Sequence, residues 1–264
     1  MQIIHRVSLS PTADDRRELA ALGVGVPDGR FVSFDVDEAS EAWPALKVWI
    51  ERRRAADLAT TRFSAEEFAE ARWFELVPDW HYGFPQPNQD ESGYLAATYD
   101  VTDYCERCGI GLKQKAPFQM KSEPKWGRND LLQLNWIFDE YFAKPDVWAT
   151  VFRPFGIGSR PVSNTKGAEL KTVVQLAVEG EVGLVTDGLT AQKCATCGRV
   201  KYVPVTRGPF PPLRSGPAAA MVKTAEYFGS GAGASKVLIV SKALAQVLLR
   251  HHVRGVSLKP VSSF

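Results

Sequence analysis

Cys105-Glu106-Arg107-Cys108-Gly109 and Cys194-Ala195-Thr196-Cys197-Gly198 are two copies of one C-x2-C-G step, and together they contain all four cysteines of the chain. Two such steps supply the four thiolates that a tetrahedral structural Zn²⁺ takes, and the glycine after each second cysteine lets backbone N–H groups turn toward the sulfurs. The pairs are separated by 85 residues (109–193), so one ion held by both must draw together segments distant in sequence. Two separate two-cysteine sites would each lack ligands. The expectation is one shared structural zinc on Cys105, Cys108, Cys194 and Cys197, with iron in the same all-sulfur geometry, a redox couple or free thiols as alternatives. Four thiolates leave no open position for catalysis at the metal. Neither pair begins a βαβ unit, which weighs against a thioredoxin-like couple.

The residues flanking each step read as a zinc ribbon. Leu95 to Val101 leads into the first step as a strand and Ile110 to Met120 leaves it; Gln192 leads into the second and Arg199 to Val205 leaves it. Between them, Asn129 or Asp130 is expected to cap a helix reaching Phe142, followed by strands at Val147–Phe152, Val173–Val178 and Val182–Thr186. Beyond the proline-rich stretch from Pro204 to Ala220, a strand Val237–Val240, a helix from Lys242 to about His251 capped by Ser241, and an edge strand Val256–Leu258 close the chain.

Toward the N-terminus the pattern alternates strand and helix. Ile3 to Leu9 reads as a strand, and Ser10-Pro11 before Asp14 and Asp15 as the start of a helix reaching Leu22. In the second strand, Phe31 to Val36, Val32, Phe34 and Val36 share one face. A helix from Glu41 to about Asp57 carries Trp43, Leu46, Trp49 and Ile50 on one stripe. Ser64 three residues before Glu67 is a capping-box signature for a helix running toward Phe74, and Pro78 to Tyr94 reads as an ordered loop. The fold class is α+β, a mixed or antiparallel sheet with flanking helices, clipped by a zinc-ribbon-like site of four cysteines. Residues 1–94 form an α/β N-terminal region and 95–264 the zinc-clipped domain.

At 264 residues the chain can bury roughly three quarters of its extended surface. Zinc is then a clip on a body that already folds. Thirty-two basic residues against 30 acidic ones give a net charge of +2, too little to drive phosphate-backbone binding by itself. No 18-residue apolar window occurs and Met1 to Arg6 lacks the apolar run of a secretory signal, so no membrane span is expected and the cytoplasm is the expected compartment.

Other chemistry is sparse. There is no G-x-S-x-G, and no G-x-G-x-x-G follows a strand; the Gly229-to-Ala234 run lacks a Walker lysine and reads as a turn. Of the four histidines, only His81, inside Asp79-Trp80-His81-Tyr82-Gly83-Phe84-Pro85, stands in a loop rich enough to suggest a site. Asp139-Glu140, and Asp100 with Asp103, read as solvated carboxylates. The chain is rich in aromatics, with Trp80, Tyr82 and Phe84 in the 78–94 loop and Trp126, Trp136, Phe138, Tyr141, Phe142 and Trp148 after it. Large rings with polar edges are common anchors in protein interfaces, although most rings belong in the core and only one or two of the loop aromatics are expected to face a partner.

With both C-x2-C-G steps, the Gly198-Arg199-Val200 exit and the pattern Arg254-Gly255-Val256-Ser257-Leu258-Lys259-Pro260 in view, the chain resembles the double-CXXCG proteins of myxobacteria over residues 95–264. The resemblance implies zinc on the four cysteines and a role like that of immunity factors, cytoplasmic proteins that bind and neutralise a partner toxin domain. The leading expectation is thus a non-enzymatic zinc-binding protein that engages a protein partner. One alternative is a nucleic-acid-binding zinc ribbon, for which Arg107, Lys113, Lys115, Lys121, Lys125, Arg128, Lys193, Arg199 and Lys201 lie near the cysteine steps in sequence. The other is an enzyme with a site around His81; no catalytic residue is assigned.

Overall fold

β1 (Gln2–Leu9) is the middle strand of a three-stranded antiparallel sheet, flanked by β2 (Val32–Asp37) and β3 (Ala56–Arg62), in the computed structural model, which describes residues 1–87 and 93–263. The alternation that marks β2 buries Val32 and Phe34 and leaves Phe31 and Ser33 exposed. Val7 and Leu9 join them under α1 (Ala13–Ala21) and α2 (Trp43–Arg53), whose Leu19, Trp43, Leu46, Trp49 and Ile50 complete the core.

Two helix ends differ from the sequence expectation. α1 is capped by Thr12, two residues later than Ser10: its hydroxyl accepts from Asp15 N–H while the Asp15 carboxylate accepts from Thr12 N–H at 2.8 Å, a closed capping box. α2 stops at Arg54, which takes a left-handed conformation (φ 50°), and the residues expected to prolong it become β3. The open edge of β1 decides this, because β3 pairs along it from Gln2↔Arg62 to Ser8↔Ala56. The capping box at Ser64 and Glu67 forms as expected and opens α3 (Ala65–Glu70).

These elements, residues 1–70 with 205–209, make one compact unit. Residues 71–204 and 210–264 make the other, so the division falls at 70/71 where the composition change suggests 94. The cause is β4 (Trp73–Pro78), read from sequence as the tail of a helix, which joins the second unit's sheet.

The second unit contains two five-stranded sheets. One has the order β7 (Gln119–Met120), β10 (Gly158–Asn164), β11 (Glu169–Ala177), β9 (Phe142–Ala143), β8 (Leu131–Leu132). The other has the order β12 (Glu181–Val182), β15 (Met221–Thr224), β16 (Leu238–Ser241), β4, β17 (Val256–Pro260), with β17 at the edge as expected. Pairing is antiparallel except for β7–β10 and β12–β15, so the architecture is α+β with mixed sheets. α6 (Lys242–Arg250) follows β16 directly, capped by Ser241, whose hydroxyl accepts from Leu244 N–H. Among the described residues no helix is long and apolar enough to cross a membrane.

Three expectations fail here for identifiable reasons. The helix over 131–142 is replaced by β8, a loop and β9, because both carboxylate oxygens of its intended cap, Asp130, are taken by Lys144 Nζ at 2.8 Å and Arg254 N–H at 3.1 Å. The strand at 147–152 is instead helical: Pro145 at the first position starts α5 (Pro145–Val147), which widens into a π-turn at Trp148–Phe152. Leu95 to Thr98 is the last four of the six residues of α4 (Gly93–Thr98), before the short β5 (Tyr99–Asp100). Part of the expected 78–94 loop, 88–92, lies outside the described residues.

Candidate metal centre and adjoining cleft

Each cysteine step is a turn carried by a short antiparallel ribbon. β5 pairs with β6 (Lys113–Gln114) around the first, and β13 (Ala191–Lys193) pairs with β14 (Val200–Tyr202) around the second. The two turns repeat one geometry. Gly109 N–H donates to Cys105 O at 2.8 Å and Gly198 N–H to Cys194 O at 2.9 Å; Cys105 N–H reaches Ile110 O and Cys194 N–H reaches Arg199 O. Both glycines are left-handed, φ 82° and 73°.

The four sulfurs converge. All lie within 4.8 Å of one another, with Cys105 Sγ to Cys194 Sγ at 3.9 Å and Cys108 Sγ to Cys197 Sγ at 3.7 Å, too far for disulfides and placed to hold one metal ion. Their surroundings differ. The N–H groups of Cys197 and Thr196 point at Cys194 Sγ and lower its thiol to about 6, and the Arg199 N–H lowers that of Cys197. Burial pushes the Cys108 thiol up to about 11. Two thiols are therefore ready to ionise on the second turn, and the first turn supplies the buried pair.

Cations surround the cluster. Arg199 donates to Asp103 O at 2.6 Å and Ile110 O at 3.1 Å, stitching the second turn to the first. Lys201 is only 3 % exposed, and its ammonium donates to Cys108 O, Gly231 O and Gly233 O at 3.0, 2.7 and 2.8 Å. The Gly229-to-Ala234 run is therefore a wall laid against the first turn. A Cβ on Gly109 would stand 2.3 Å from Ala232 O, which is why this turn needs glycine. Lys113 pairs with Asp103 at 2.5 Å, so three of the nine basic residues near the cysteines are committed within the protein.

That wall also bounds a cleft of about 410 Å³, reached by Gly109 and Leu112 on one side and by the 136–140 loop on the other. Its floor is polar. Glu140, expected from sequence as a solvated carboxylate, is buried; it accepts from Lys223 Nζ at 2.5 Å and from Gln175 Nε2 at 3.0 Å. Burial pushes the Glu140 carboxyl upward, while Lys223, despite burial, is held above the ordinary lysine value by Asp139 and Glu140. No local pattern marks Glu140, because its partners come from β11 and β15.

The rim is aromatic. The 80–84 segment zips onto the 133–135 segment through Gln133 N–H to Trp80 O, Tyr82 N–H to Gln133 O and Asn135 N–H to Gly83 O. This fixes Phe84 against Trp136, ring centroids 4.5 Å apart, and leaves Phe84, Trp136 and Phe138 41, 42 and 54 % exposed. His81 stands edge-on to Phe138 at 6.0 Å, exposed, and the described residues give its ring no hydrogen bond. Asp100 and Asp103 stay on the surface, tied to Thr102 and Lys113. His5 lies in the other unit, buried, stacked on Trp43 and held by Asp57 and Glu38. No family model matches the chain, and no curated protein matches it.

Proposed function

We propose that the protein is a non-enzymatic, zinc-clipped binding protein whose partner is another protein, in the manner of an immunity factor that occludes a toxin domain. The cross-turn sulfur distances of 3.7 and 3.9 Å agree with the edge of about 3.8 Å in a tetrahedron with Zn–S bonds near 2.3 Å. Zinc with four thiolates carries two net negative charges, and Arg199 and Lys201 bring two positive ones to the same place. A saturated coordination shell gives this ion a structural task.

The observation that carries the binding role is the rim of Phe84, Trp136 and Phe138, large rings left in solvent beside the backbone pairing of the 80–84 and 133–135 segments. Rings of this kind bury much area on association and lose little side-chain entropy. The toxin as partner rests on the resemblance at the two C-x2-C-G steps and at Arg254–Pro260. Within that last pattern Gly255 has a structural duty, since a Cβ there would stand 2.1 Å from Leu131 O.

The test is co-expression with each candidate toxin domain found among the neighbouring genes, scored by growth, with affinity measured by interferometry. Protection by the wild type is expected, and Trp136→Ala with Phe138→Ala should weaken affinity at least 30-fold, about 2 kcal/mol, with zinc content unchanged. Absence of protection, or undiminished affinity in the double variant, counts against the reading.

A further inference from the structure

Arg160 is the lining cation of the cleft that has no carboxylate at ion-pair distance among the described residues. Lys113 has Asp103, Lys223 has Glu140 and Lys236 has Glu181. Among the described residues its one hydrogen bond runs from Nη1 to Gln114 Oε1 at 2.8 Å. That amide is itself oriented from below: Gln175, fully buried, donates to Gln114 Oε1 at 2.7 Å, accepts from Gln114 Nε2 at 2.9 Å and also donates to Glu140. A relay of two amides and one ion pair, buried at Gln175 and Glu140, thus sets one edge of the guanidinium. Its side chain lines the cleft with Lys223, whose positive charge it repels, and the described residues leave its other N–H donors without an acceptor. Burying such a relay is costly for stability alone, and a guanidinium fixed on one side is arranged for bidentate recognition of a planar anion on the other.

Asp139 is the other charge of the cleft with no partner at ion-pair distance among the described residues. It acts on Lys223 and nothing orients it, so it does not define a cation site in the way that the relay defines an anion site. Above the floor stand Tyr94, Trp136 and Phe138, which offer an apolar group its contacts.

We propose that this cleft is a carboxylate-binding site, in which Arg160 receives an Asp or Glu side chain of the partner while the aromatic rim takes an apolar neighbour. The source of the carboxylate rests on the reading that the partner is a protein; the preference of the site for a carboxylate does not.

The probe is 3-phenylpropanoate, a carboxylate joined to a ring, titrated into zinc-loaded protein and followed by ¹⁵N NMR at Arg160 Nε–H and the Trp136 indole. Saturable shifts of both signals are expected, with Kd on the order of 10 mM. Arg160→Gln should weaken binding about tenfold or more, and Arg160→Lys, which keeps the charge and loses the fork, should fall between. Dispersed Phe118 and Phe142 signals would verify that the variants keep their core. Shifts that do not saturate, equal binding in Arg160→Gln, or equal binding of 2-phenylethylammonium would each overturn the carboxylate site. If the probe binds but Arg160→Gln protects against the toxin as wild type does, the partner's side chain is not the ligand. Failure of the function itself reads differently: no protection by any form, with the probe still bound.

Discussion

The first unit closes its sheet with strands of eight, six and seven residues, whereas the cysteine-bearing ribbons of the second pair over only two or three. Long ladders let β1 and β2 bury alternate side chains and hold a core with ordinary apolar packing. Two-stranded ribbons this short are not stable by themselves in water. There, four cysteines placed to hold one metal ion, a buried ammonium and a guanidinium stand where a longer ladder is missing. Backbone pairing closes the first unit's sheet and the two five-stranded sheets of the second; only the short cysteine-bearing ribbons depend on cross-links between their turns.

The strongest way to break that contrast is to remove the ion. Chelation, or Cys105→Ser and Cys194→Ser, should abolish a zinc content of one per chain by inductively coupled plasma mass spectrometry. Hydrogen-exchange protection should fall at 99–114 and 191–202 and persist at β1 and β2. Equal loss in both units would show that the contrast is wrong. Lys201→Met comes next, because it takes the shared ammonium donor from the carbonyls of Cys108, Gly231 and Gly233, the first of them buried. A loss of about 3 kcal/mol is expected, or roughly 6–12 °C in Tm, together with weakened zinc retention.

The smallest effect belongs to the first unit. Thr12→Ala should cost about 1 kcal/mol, measured by urea denaturation, and leave zinc untouched. Its partner gives a pH signature. Burial raises the Asp15 carboxyl, but the Thr12 N–H and hydroxyl and the Arg53 guanidinium outweigh it and hold the group below its ordinary value. A depressed carboxyl stabilises fully above the unfolded value of about 4, and that contribution disappears as pH falls through the lower folded value. Asp15→Asn should therefore be less stable than wild type at neutral pH and converge with it in acid.

Local chemistry was legible in the sequence wherever neighbours along the chain decide the outcome. The two C-x2-C-G turns, the Ser64–Glu67 box, the Ser241 cap and the buried face of β2 all depend on residues a few positions apart. Where a distant partner decides, the reading failed. Ala56–Arg62 has no strong signal against extending α2 until the edge of β1 is in place, and Asp130 is a sound helix cap until Lys144 and Arg254 take it. Glu140, Arg160 and Gln175 acquire their roles only through contacts spanning dozens of residues. Lys201 could have been found, since alternation from Arg199 through Tyr202 in a ribbon leaving a cysteine turn turns a lysine inward.

The pairing of sulfurs 89 positions apart also carries a consequence for biosynthesis. During translation at about 5–20 residues per second, Cys105 and Cys108 emerge roughly 4–18 s before their counterparts. For that interval the nascent chain offers a two-thiolate half-site, open to oxidation or to the wrong metal, while the strands between are already being made. Under the proposed zinc reading, the ion would be captured with full affinity only after those strands have returned the second turn to the first, so metallation would report completed folding of the second unit rather than initiate it.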